Sequence, residues 1–387
     1  MRMKRLSCIL IMLLWMTAPI TAQHLSVKKS FRPGELWLDT DGKHINAHGG
    51  GILFHKGKYY WFGEHKVAGP DGNKAMAGVS CYSSKDLYNW KNEGIALAVA
   101  AENSGSEIEK GAVIERPKVI YNEKTKKFVM WFHLELKGQG YNAARTAVAV
   151  ADKVTGPYTY LKSFRPHAGV WPANATEAHK TVPVIVKDND PAWEQKVADG
   201  ALLQRDFEGG QMSRDMTLFV DDDGTAYHIA ASEENRTLHI SKLTDDYTGF
   251  TDEYVRVFPG GRNEAPAIFK KGGKYFMITS GLTGWAPNAA RSAVSEHMME
   301  GWKQLGNPVR GTEEEKNTTF SSQSTFVLPV QGKKNAFIFM ADRWRPKNPI
   351  DGRYIWLPLI FEDGKPVLKW QEEWTLDTLM QKNESDD

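Results

Sequence analysis

The sequence predicts an all-β fold, a five-bladed β-propeller, on three observations. The chain of 387 residues is rich in aromatics (13 Trp, 13 Tyr, 17 Phe) and in turn formers (34 Gly, 18 Pro), a mixture that suits many short strands more than long helices. A turn followed by an aromatic-rich strand recurs five times: Gly57-Lys-Tyr-Tyr-Trp-Phe-Gly, Lys127-Phe-Val-Met-Trp-Phe-His, Gly224-Thr-Ala-Tyr-His-Ile-Ala, Gly273-Lys-Tyr-Phe-Met-Ile-Thr and Asn335-Ala-Phe-Ile-Phe-Met-Ala. Their aromatic positions, 59, 128, 227, 275 and 337, lie 69, 99, 48 and 62 residues apart, near the blade period with insertions in the first two gaps.

The elements follow in order. Met1, Arg2, Lys4 and Arg5 precede an apolar run from Cys8 to Trp15 and small residues up to Ala22, the pattern of a secretory signal peptide over residues 1–22. The run is shorter than the roughly 20 residues of a membrane span, so the expectation is an exported protein, periplasmic or secreted, with no membrane span. Cys8 precedes the apolar region and leaves with the leader. Cys81 then stands alone, and no intramolecular disulfide can form. Residues 23–387 read as a single catalytic domain of five four-stranded blades. Signals such as Ser84-Lys-Asp-Leu-Tyr-Asn-Trp90 and Gly156-Pro-Tyr-Thr-Tyr160 close outer hairpins. The stretch 166–210, without a clean period, reads as a long insertion expected to wall off one side of a central depression. The polar tail 381–387 reads as frayed. Lys+Arg 49 against Asp+Glu 47 gives a net charge of +2, which argues against a nucleic-acid partner.

Inner strands of a propeller converge, so acidic residues far apart in sequence can meet at the axis. Glu64, Glu115, Asp215 and Glu264 each stand beside an apolar strand. Sugar recognition needs hydroxyl-binding groups and an apolar platform, roles open to Glu64, Tyr141, Asn235, Trp285 and Arg343. Trp61 and Trp131, inside alternating strands, read as core. His44, His48, His55 and His65 lack the paired spacing of a zinc site, so no metal ligands are assigned, and His48 beside three glycines is placed on the substrate side. Asp221-Asp-Asp-Gly224 reads as a hairpin turn, not a calcium loop.

Several segments carry a resemblance: His48-Gly-Gly-Gly-Ile-Leu, Tyr60-Trp-Phe-Gly-Glu64, Val79-Ser-Cys-Tyr-Ser-Ser, Glu115-Arg-Pro-Lys-Val-Ile, Met130-Trp-Phe-His, Glu264-Ala-Pro, Gly284-Trp-Ala-Pro-Asn and Asp342-Arg-Trp-Arg-Pro. Together, from about Trp37 to Trp374, they resemble the glycoside hydrolase family 43 exo-β-1,3-galactanases. The resemblance implies an inverting glycosidase on a five-bladed propeller, acting on an oligo- or polysaccharide. It implies Glu264 as general acid and Asp215 as the carboxylate that orients it and tunes its pKa. Most of the wider family supplies a base as an Asp on the first inner strand, where this chain has His48-Gly-Gly-Gly51; Glu115 and Gln323 remain as candidates for the water side. No cofactor is required, and a structural calcium ion in the channel occurs in some members. The expected activity is release of galactose from the non-reducing end of β-1,3-galactan, by a monomer. The alternatives are an α-L-arabinofuranosidase of the same family and a non-catalytic carbohydrate-binding propeller.

Overall fold

The computed structural model describes residues 27–183 and 191–381; the predicted leader, the tail beyond 381 and part of the insertion lie outside them. Five sheets, antiparallel but for one added strand in the last, succeed one another along the chain. The first holds β1 (His48–His55), β2 (Lys58–Glu64), β3 (Gly78–Ser84) and β4 (Lys91–Ala98). The second holds β5 (Val113–Asn122), β6 (Lys127–Glu135), β7 (Arg145–Ala151) and β8 (Thr159–Phe164). The third holds β9 (Met216–Val220), β10 (Ala226–Ser232), β11 (Thr237–Leu243) and β12 (Phe250–Val257). The fourth holds β13 (Glu264–Lys271), β14 (Lys274–Ser280), β15 (Arg291–Ser295) and β16 (Lys303–Gly306). The fifth departs from the expected four strands. It orders β18 (Gln323–Pro329), β19 (Phe337–Arg343), β20 (Arg353–Glu362) and β21 (Lys365–Lys369) and adds β17 (Val309–Arg310), parallel to β21, as a fifth. The first strands of successive blades, β1, β5, β9, β13 and β18, contact one another in a closed ring.

All five recurring motifs form the second strand of a blade. Such a strand is covered on both faces, so period-two alternation separates two apolar faces instead of an apolar and a polar one. In β6, Val129 and Trp131 pack toward the third blade, among Met216 and Leu218, while Met130 and Phe132 pack toward the first, among Val79 and Cys81. The same division repeats around the ring and gives five inter-blade cores. Trp61 and Trp131 are both fully buried in them. Cys81 is a buried free thiol.

Between β8 and β9 the described residues form three short helices, α1 (Glu177–Thr181), α2 (Trp193–Ala198) and α3 (Ala201–Arg205). They lie against the third blade, through Arg256 and the β10–β11 turn. No described helix is long and apolar enough to cross a membrane.

Candidate active site

Four of the five inner strands are shaped alike at their ends. Register shifts mark β-bulges between His48 and Gly51, Glu115 and Lys118, Glu264 and Ala267, and Ser324 and Phe326. In three of them the residue after the first is left-handed: Gly49 (φ 60°), Arg116 (φ 55°) and Ala265 (φ 50°). A bulge bends its strand and re-aims the side chain there. The Pro that follows in Glu115-Arg-Pro and Glu264-Ala-Pro is tolerated where the ladder is already broken. This is the local reason that the Glu-x-Pro segments deliver carboxylates to the axis.

They open onto a cavity of about 220 Å³ whose lining includes Glu64, Glu115, Asp215, Glu264, Gln323 and Trp344. Glu264 is buried, and Asn235 Nδ2 donates to its Oε1 at 2.6 Å. Burial, reinforced by the negative charge of Asp215, pushes its carboxyl up to about 8, so it carries a proton at neutral pH. Asp215 itself is gripped by Arg116, whose Nε and Nη2 donate to its two oxygens at 3.0 and 2.9 Å. A bidentate fork of this kind fixes a carboxylate's plane.

Glu115 accepts from Tyr141 Oη at 2.7 Å, Asn73 Nδ2 at 2.9 Å and His133 Nδ1 at 3.0 Å. Burial alone would raise its pKa, but the hydrogen bond and charge of His133, helped by Lys66, hold it well below the usual carboxylate range. The reciprocal effect is on His133. Burial disfavours its charge, yet Glu115 and Glu135 on its two nitrogens push it up to about 9, so it is an imidazolium. Glu64 pairs with the Lys66 ammonium and accepts the Arg116 backbone N–H at 2.9 Å. Gln323 Oε1 accepts from Arg116 Nη2 at 2.6 Å and Trp344 Nε1 at 2.9 Å, while its Nε2 donates to Ser280 Oγ at 2.9 Å. Trp285, 38% exposed, stands edge-on to Trp344 with ring centres 5.5 Å apart. Two indoles at the rim of a polar cavity make a sugar platform.

Of the residues singled out from the sequence, Glu64, Glu115, Tyr141, Asp215, Asn235, Glu264, Trp285 and Gln323 come together here. Two do not. His48 is fully buried, stacked on Tyr354 at 5.2 Å, because the blade's place at the cavity is taken by Glu64, its partner in register. The glycine beside it is required: a Cβ on Gly49 would lie 2.1 Å from Glu64 Oε1. Arg343 points away from the cavity, donating to Phe320 O at 2.8 Å and lying over Trp370. Of the insertion expected to wall the depression, none of the described residues of 166–210 lines the cavity. Sequence reasoning missed Trp344, His133 and Asn73. The first two were within reach, since Asp342 pairs with Gln323 and His133 with Glu115, and alternation places Trp344, not Arg343, on Asp342's face. Asn73 sits in an irregular loop and carried no signal.

Glu115, His133 and Asp215 place one ligating atom each within 4.8 Å of one another. They do not fit a metal ion, because both His133 nitrogens face carboxylates and both Asp215 oxygens hold Arg116. In the channel below, Lys118 Nζ donates to Gly49 O at 2.9 Å, and burial lowers that amine to about 7.

A family model for glycosyl hydrolases family 43 matches residues 173–366. No curated protein matches the chain. Among solved structures, a family 43 β-1,3-galactosidase determined with galactodeoxynojirimycin is 56% identical, with a TM-score of 0.85, over 89% of this chain and 100% of that one. An exo-β-1,3-galactanase from Phanerochaete chrysosporium is 34% identical (TM-score 0.71), over 89% of this chain and 68% of its own. Another, from Clostridium thermocellum, is 38% identical (TM-score 0.70), over 89% and 66%. Family match, identity over most of the length and a cavity lined by paired carboxylates agree: the chain is a glycoside hydrolase and belongs to family 43.

Proposed function

We propose that this protein is an exported, inverting β-1,3-galactosidase that removes galactose from the non-reducing end of β-1,3-galactan, the backbone of arabinogalactan-type glycans. The observation that carries the reading is Glu264, a carboxyl held protonated at neutral pH in a cavity suited to a single sugar ring. The similarity to β-1,3-galactosidases and exo-β-1,3-galactanases supports the substrate class. The residue pattern of 1–22 supports export, and the protein acts as a monomer.

Glu264 donates its proton to the glycosidic oxygen as the bond to the anomeric carbon breaks, and Asn235 and Asp215 keep its carboxyl in place for that transfer. Water enters from the opposite face. Gln323, fixed by Arg116, Trp344 and Ser280, positions it, and Glu115 accepts its proton. Glu115 is ionised throughout the working range, as a base must be, although His133 weakens its proton affinity. Glu64 and Tyr141 hold sugar hydroxyls, and the Trp285–Trp344 pair carries the next sugar. No metal takes part in this scheme.

Digestion of β-1,3-galactan tests the reading. Galactose, or galactose carrying its branch, accumulates from the first minutes, and Glu264→Gln lowers the rate by about 10²–10⁴. An early ladder of long oligosaccharides, or cleavage of an aryl arabinofuranoside with none of β-1,3-galactobiose, contradicts it.

A further inference from the structure

Although none of the described residues of 166–210 lines the cavity, a continuous set of contacts joins them to Glu264. The β10–β11 hairpin turns through Glu233, Glu234 and Asn235, with φ values of 50°, 55° and 62°. Three successive non-glycine residues in the left-handed region need outside support. Asn235 closes the run and donates to Glu264. Glu233 opens it, fully buried, its carboxylate accepting from Arg256 Nε and Nη2 at 2.7 Å each and from His239 Nε2 and Thr237 Oγ1 at 3.0 Å.

The same Arg256 continues into the insertion. Its Nη2 donates to Val197 O at 2.7 Å and its Nη1 to Ala198 O at 3.2 Å, at the C-terminal end of α2, where carbonyls are left over from the helix ladder. Glu234 is ion-paired with Arg205 of α3. Arg236 lies over the Trp193 ring at 5.3 Å and 3.5 Å from Glu194, both of α2. In the turn between β12 and the acid's strand β13, Gly260 packs so closely that a Cβ would stand 2.7 Å from Glu194 O. Each residue of the turn, or its neighbour, is therefore held from α2 or α3.

We propose that the insertion is a positioning device for the general acid: α2 and α3, through Arg256 and Arg205, hold the left-handed turn at 233–235 and so aim Asn235 at Glu264. The proposal rests on Glu264 being the acid. The charged groups facing Glu264 are Asp215, Arg116 and Arg214, none of them on α2 or α3, so the insertion reaches it through Asn235 and not through its own charges. The Asn235 N–H favours the ionised carboxyl. Losing that donor raises the Glu264 pKa and frees its rotation.

Arg205→Ala and Asn235→Ala, singly and combined, are assayed on β-1,3-galactobiose across pH, with Glu264→Gln alongside. Each single variant should lower kcat roughly ten- to hundred-fold at little change in KM and move the alkaline limb of kcat/KM upward. The double variant should be no worse than Asn235→Ala alone, because both act through one hydrogen bond. If Arg205→Ala fails to fold, Glu234→Gln cuts the same tether from the hairpin side and is measured identically. Wild-type kcat and an unmoved limb in the tether variant, or losses that multiply in the double variant, would overturn the proposal. Retained activity in Glu264→Gln would strike the acid assignment instead, so the two failures are distinct.

Discussion

At the scale of single residues, the site separates two carboxyls by their surroundings. Glu264 is buried with the charge of Asp215 close by and keeps its proton; Glu115 has an imidazolium, an amide and a phenol around it and gives its proton up. The sign of the pH dependence follows. A general acid pushed up to about 8 is lost as pH rises through that value, so kcat/KM should fall on the alkaline side with a limb near pH 8. No limb from Glu115 should appear on the acid side above its depressed range. Glu115→Gln should cost at least about 100-fold in kcat with a modest effect on KM, since the lost interaction matures in the transition state. Azide should restore turnover in that variant as a glycosyl azide of inverted configuration. Azide rescue seen only in Gln323→Ala would move the proton-accepting role away from Glu115.

Which of these residues could be read in the sequence follows from period and register. Glu115 and Glu264 were legible because each precedes a Pro at the start of an apolar strand. Arg343 was misplaced by one step of the pleat, which exchanges faces, and Trp344 was passed over for the same reason. His48 has the right place in its strand but the wrong direction, because Gly49 after it leaves room that Glu64 fills from the neighbouring strand. That substitution across a hairpin is a packing outcome, and no local pattern announces it.

At the scale of elements, the repeated bulge is what turns five similar hairpins into a site. The turn-then-strand motif was visible because it recurs, while the bulges were not, since one extra residue disturbs no hydrophobic period. The bulge in β1 depends on close backbone approach: a Cβ on Gly50 would lie 1.8 Å from Phe62 O, a backbone atom that cannot retreat without breaking the β1–β2 ladder. Gly50→Ala should therefore destabilise the fold by about 3 kcal/mol, seen as a lowered denaturant midpoint at unchanged m-value. An unchanged midpoint would mean that the ladder shifts freely and that the bulge is not a fixed feature. The insertion's helices were unreadable for a different reason. Their partners, Arg256 and the 233–236 turn, lie dozens of residues downstream, and the link is made by carbonyls and charges instead of a periodic apolar face.

At the scale of the whole molecule, catalysis is a property of the closed ring. Glu64 comes from the first blade, Glu115 from the second, Asp215 from the entry to the third, Glu264 from the fourth and Gln323 from the fifth, so no blade holds a working site alone. Closure joins the first and last described segments: Phe31 and Trp374 exchange backbone hydrogen bonds of 2.8 and 3.1 Å, and their rings stack at 4.2 Å inside a tryptophan-rich core between the last and first blades. Five recurring strands made the ring legible, and the aromatic content made its packing legible. The convergence of carboxylates followed from the fold and not from their spacing. With the acid on β13 and Glu115 on β5, inner strands that are not neighbours in the ring, displacement should take place in a single step. The measurement that tests this most directly is the anomeric form of the first galactose released from β-1,3-galactobiose, followed by proton NMR before mutarotation. The account predicts α-galactose, inverted from the β linkage; β-galactose as the first product would contradict it.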